Sequence, residues 1–132
     1  MSWIYRGPTV VAFMTIGPLN QGHALVVPVR HAPSLAELDP EDGAEMFRVA
    51  QRVAAAIRAS GLRCEGINFI YDDGAAAMQT VFHAHLHVVP RFFGDGIRLV
   101  LPPGFSFARP RPPLDEAAAL IRAALERLDE PQ

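Results

Sequence analysis

Apolar positions recur along this chain with two different periods. Thr9 to Ile16 and His23 to Val29 are short runs rich in β-branched and apolar residues. Between them lies Gly17-Pro18-Leu19-Asn20-Gln21-Gly22, a strong turn signal, so the pattern predicts two strands joined by a connection. After Asp39 the period changes to that of a helix, with Met46, Phe47, Ala50, Val53, Ala54 and Ile57 on one face. Asp39-Pro40-Glu41-Asp42 supplies a cap acceptor, a proline in the first turn and acidic residues facing the helix dipole, and Gly61 is placed to end it. Gly66 to Tyr71 reads as a further strand, Asp72 to Met78 as a loop and Gln79 to Val89 as another strand. Ile97 to Leu101 has the composition of one more. The 102–113 segment is proline-rich and reads as an extended arm. A closing helix over 114–129 is expected next, capped by Asp115, with Ala118, Ile121, Leu125 and Leu128 as its apolar stripe. No internal repeat stands out. The expectation is a single domain, 1–132, of the α+β class with a mainly antiparallel sheet.

Within the run from Thr80 to Arg91, His83, His85 and His87 occupy alternating positions. A strand puts every second side chain on one face, so the three imidazoles are expected to share a surface. Phe82, Ala84, Leu86 and Val88 would face the core. A single histidine on an apolar strand is most simply a core residue bonded to backbone. Three in register would need three separate partners, or would repel one another on protonation, which favours a functional cluster of nucleophile, acid or metal ligands. His23 also lies in a motif-like setting, whereas His31 reads as an ordinary turn residue with no imidazole neighbour in sequence.

Composition narrows the chemistry. All 12 basic residues are arginines, so a phosphate-loop lysine, a Schiff-base lysine and a lysine-linked nucleotidyl intermediate are excluded. The net charge of -2 gives no basic field for nucleic acid. A single cysteine, Cys64, rules out an internal disulfide and a cysteine-rich zinc site, and suits a reducing, cytoplasmic setting. No run approaches the roughly 18 apolar residues needed to span a bilayer.

Gly22-His23-Ala24-Leu25-Val26-Val27-Pro28, then Gln79-Thr80-Val81-Phe82-His83-Ala84-His85-Leu86-His87, then Pro90-Arg91, resemble the histidine triad (HIT) family of nucleotide-binding hydrolases and transferases. With His87 present, the pattern is nearer the bacterial and fragile-histidine-triad branches than the uridylyltransferase branch. The resemblance implies a five-stranded antiparallel sheet with one long helix and a C-terminal helix, and a homodimer. It implies that His85 attacks the α-phosphorus of a nucleoside phosphoramidate or dinucleoside polyphosphate and carries the nucleotidyl group, with His23, His83 and His87 in support. It also implies that Gln79 and Thr80 contact the phosphate or leaving group and that Phe13 and Ile16 line a base slot. No cofactor or metal is implied.

Two positions depart from that pattern. Thr15 stands where an aspartate or asparagine commonly holds the ribose, and Asp72 where an asparagine contacts phosphate. A carboxylate there repels an ionised phosphate unless neutralised. Two rival readings are a histidine-cluster metal protein and a nucleotide sensor without useful turnover.

Overall fold

A computed structural model describes residues 1–131. Five strands, β1 (Trp3–Arg6), β2 (Val10–Met14), β3 (Ala24–Pro28), β4 (Gly66–Ile70) and β5 (Leu86–Arg91), form one antiparallel sheet in the order β1-β2-β3-β5-β4. Helix α1 (Pro40–Ala59) crosses one face, and α2 (Arg111–Leu128) follows near the end of the described chain. The expected α+β class and five-stranded sheet are therefore found. By backbone contacts the chain forms two compact units, Met1–Ile97 and a second beginning at Arg98.

The core lies between the sheet and α1. Val10, Ala12, Ala24, Val26, Leu86 and Val88 from the strands meet Met46, Val49, Ala50, Val53 and Ile57 from the helix, all buried. Each large aliphatic side chain removed from water in this way contributes about 1.5–3 kcal/mol. Asp39 caps the helix as expected, its carboxylate accepting from the Glu41 amide at 2.8 Å. Phe47, assigned to the same stripe, is instead half-exposed and meets Phe69 of edge strand β4, ring centroids 5.9 Å apart.

Four expectations are corrected. The histidine strand is half as long as predicted: β5 begins only at Leu86. Its register with β3 pairs Ala24 with Val88 and Val26 with Leu86, so continuing it would set Pro28 opposite Ala84, and proline has no N–H to donate. Phe82, beyond the ladder, is exposed rather than core. Residues 97–101 form no strand. Helix α2 begins at Arg111, not at Asp115, because Pro112 and Pro113 fall in a first turn whose N–H groups have no intrahelical acceptor, and none of its residues is buried. Strand β1, unforeseen, pairs with β2 at the sheet edge, Trp3 opposite Phe13.

Candidate active site

The turn Asn20–Gly22 aims His23 at the sheet. Gly22 holds a left-handed backbone (φ 97°), and a Cβ there would lie 3.1 Å from both Leu62 and Pro90. His23 enters β3 buried. Its Nδ1 accepts the Leu19 amide N–H at 3.0 Å, so in the neutral ring the proton sits on Nε2. That Nε2–H donates to Nδ1 of His87, 2.9 Å away, which in turn leaves the proton of neutral His87 on its Nε2. One amide N–H therefore sets two tautomers.

His85 follows the same logic from the other side. Its Nδ1 lies 2.7 Å from the carbonyl oxygen of His83, which can only accept, so Nδ1 carries the proton and Nε2 presents a lone pair. The His85 and His87 rings meet edge to face, centroids 4.9 Å apart. His83 is turned from this pair toward backbone: Nε2–H donates to the Pro28 carbonyl at 2.8 Å, and Nδ1 accepts the Ala32 amide at 3.4 Å. All three triad rings are half-buried, while Ala84, Leu86 and Val88 between them are buried. The alternation predicted for a strand survives in the segment before β5, although no ladder holds it.

Burial, reinforced by His87, pushes the His23 ring down from 6.5 to about 4. Burial also lowers His87, with the neighbouring His85 adding to the effect and Asp72 opposing it. Both rings are thus held neutral at neutral pH, and Asp72 projects its field onto the site.

A model of the HIT domain matches residues 1–94. The chain belongs to the HIT family. A HIT family protein from Bacillus anthracis superposes with a TM-score of 0.81 at 31% identity, covering 93% of this chain and 86% of that one. A zinc-bound histidine triad family protein from Mycobacterium smegmatis is 43% identical with a TM-score of 0.67, covering 96% of this chain and 85% of that one. An adenylylsulfatase of Arabidopsis thaliana is 34% identical over 89 residues, 67% of this chain and 44% of that protein. Family membership supports a nucleotide-binding hydrolase or transferase in general.

Within this HIT domain the structure brings His23, His85 and His87 into one cluster with Asp72 in electrostatic reach. Phe13 joins their face of the sheet: it pairs with Leu25, which pairs with His87, which pairs with Ile70. Cross-strand partners share a face. Ile16 is fully exposed just beyond β2. The Thr15 hydroxyl accepts the Gly17 amide at 3.2 Å. Gln79 is buried and engaged at both ends of its amide, accepting from Gly74 N–H and donating to the carbonyls of Pro33 and Val81, so it braces the loop before the triad. Thr80 beside it is exposed.

His31 has an imidazole neighbour in space that its sequence setting does not show. It is exposed, and its Nδ1 lies 3.2 Å from Nδ1 of His83, the ring planes within 13° of parallel. The two are 52 positions apart, a proximity no local pattern announces. Among the described residues no group of three or more His, Cys, Asp or Glu side chains is arranged to hold a metal ion.

Proposed function

We propose that this chain cleaves nucleotides at the α-phosphate through a nucleotidyl intermediate on His85, with nucleoside phosphoramidates, dinucleoside polyphosphates or related mixed anhydrides as substrates. The observation that carries it is the 2.7 Å bond from His85 Nδ1 to the His83 carbonyl, which leaves the Nε2 lone pair free to attack. Nε2 forms a bond to phosphorus as the bond to the leaving group breaks. His87 Nε2–H donates to the leaving group as that bond breaks, and the His23 Nε2–H on its Nδ1 stabilises the negative charge on the ring until water returns the proton. Water then displaces the nucleotide from His85, its proton going to His87 and the lone pair returning to His85. Phe13 and its row on the sheet offer an apolar surface to the base.

The adenylylsulfatase among the relatives supports this reading over that of a sensor without turnover. Quenching during turnover of an adenosine phosphoramidate should trap an acid-labile, base-stable adduct, and mass spectrometry should place it on His85. Consistent placement elsewhere rejects the assignment. Turnover should survive extensive chelation; strict zinc dependence would favour the metal-protein reading instead.

The same proposal includes a homodimer in a reducing, cytoplasmic setting. Phe47 and Phe69 expose an aromatic pair where α1 meets edge strand β4, surface that a second copy would cover. Light scattering at low micromolar concentration should report twice the chain mass. No helix among the described residues is long and apolar enough to cross a membrane.

A further inference from the structure

The tautomer of His85 depends on one carbonyl oxygen, that of His83, and this peptide lies outside the sheet ladder. Besides the Ala32 amide on His83 Nδ1, three contacts from the end of β3 and the stretch that follows hold it. The Ala84 amide donates to the Ala32 carbonyl at 2.7 Å, His83 Nε2–H donates to Pro28, and His31 meets His83 Nδ1 to Nδ1. The third differs in kind from the first two. The others use backbone oxygens, which are present whatever the sequence; the His31 contact exists only because position 31 carries a side chain with a donor at that reach. His83 Nε2–H donates to Pro28, so Nδ1 is the acceptor in the neutral ring, and its one lone pair is shared between the Ala32 amide at 3.4 Å and the donor His31 Nδ1–H at 3.2 Å. Nearly parallel planes with centroids 5.2 Å apart and nitrogens 3.2 Å apart suit a bond made side by side.

We propose that His31 is a positioning residue for the nucleophile: by donating to His83 it holds the His83 ring and peptide, and through that carbonyl the Nδ1–H tautomer of His85. This rests on the reading of His85 as the attacking group, but its consequence for the His85 tautomer does not. Without the His31 donor, the His83 ring keeps Pro28 but loses its lateral tether, and the His83 carbonyl samples orientations in which His85 no longer has a fixed acceptor. A fraction of His85 rings then carries the proton on Nε2, where it blocks attack.

Two variants separate the donor from the bulk. His31→Asn keeps an N–H close to where Nδ1 stood, and His31→Phe keeps a flat ring with no donor. Long-range ¹H–¹⁵N spectra of the imidazoles should show His85 as the Nδ1–H tautomer in the unaltered protein and in His31→Asn, and a mixture in His31→Phe. With an adenosine phosphoramidate, His31→Phe should lower kcat about fivefold, the scale of one hydrogen bond, with KM within about twofold, and His31→Asn should restore most of the loss. An unchanged His85 tautomer in His31→Phe overturns the proposal, as does a His31→Asn variant no better than His31→Phe in the spectra. If the unaltered protein turns over no nucleotide, the nucleophile reading falls, while the spectra still decide the role of His31.

Discussion

The two ends of the histidine triad are held by different means. His87 sits in β5, paired with Leu25 on one side and Ile70 on the other, and its ring is fixed through buried His23. His83 lies before the strand begins and is held by individual bonds to Pro28, Ala32 and His31. His85 stands between, taking its acceptor from the irregular end and its ring contact from the regular one. A ladder distributes positional restraint over many peptides; single bonds concentrate it. The irregular end should therefore be the more sensitive to loss of any one group, and the strand end the more sensitive to pH.

The largest effect should come from the residue that joins the two ends. His85→Asn should lower turnover by about a thousandfold or more while nucleotide affinity stays within about tenfold, since the attacking nitrogen alone is lost. Near-normal turnover would make both ends irrelevant to chemistry.

The strand end can be isolated by pH. The folded state holds His23 at about 4 instead of 6.5, so the unfolded chain binds the proton more readily between those values. Stability from this group is complete above about pH 6.5 and is lost as pH falls toward 4. Urea denaturation across that range should show the decline, and His23→Asn should flatten it. An equal slope in both proteins would assign the acid sensitivity elsewhere.

The irregular end has its own test in Gln79. Replacing it with Leu strands the Gly74 N–H and the carbonyls of Pro33 and Val81, at a cost of about 2 kcal/mol in a buried setting. The fall in denaturation midpoint should be nearly independent of pH between 4 and 7, unlike that set by His23. A pH-dependent loss would merge the two ends into one cooperative unit.

Asp72 offers the smallest change. Its charge favours the protonated form of His87, and a phosphate bound beside that ring would meet the same charge as repulsion. Asp72→Asn should tighten nucleoside monophosphate binding about fivefold near neutral pH, the scale of a solvent-screened charge contact, and should push the His87 ring lower still. Calorimetric titration that finds equal affinities places the carboxylate away from the ligand.

Much of this was legible in the chain. Asp39-Pro40 announces α1 because a cap and an N-terminal proline are local chemistry, and the helix starts where they say. The HHH alternation shows which side chains face the cluster, because burial follows the same period. It does not show where the ladder stops, which depends on Pro28 arriving opposite Ala84, a matter of register between distant segments. Strand β1 is not legible in the chain because an edge strand with little burial leaves no alternation of buried and exposed positions to read. The contact of His31 with His83 is illegible for a similar reason: the two are remote in sequence. Thr15 and Asp72 show as departures only against a family pattern, and the Leu19 contact leaves no mark at all, since it uses a peptide N–H.

That last contact bears on how the protein can change over time. The relay through His23 and His87 starts at the Leu19 amide, and the leucine side chain, half-exposed, takes no part in it. Any residue except proline supplies the same N–H. Position 19 is therefore free to drift among the other side chains without disturbing the proton pattern, and a family comparison would score it as neutral although it anchors the site. Proline alone would reveal it, by removing the donor and freeing both rings to exchange tautomers.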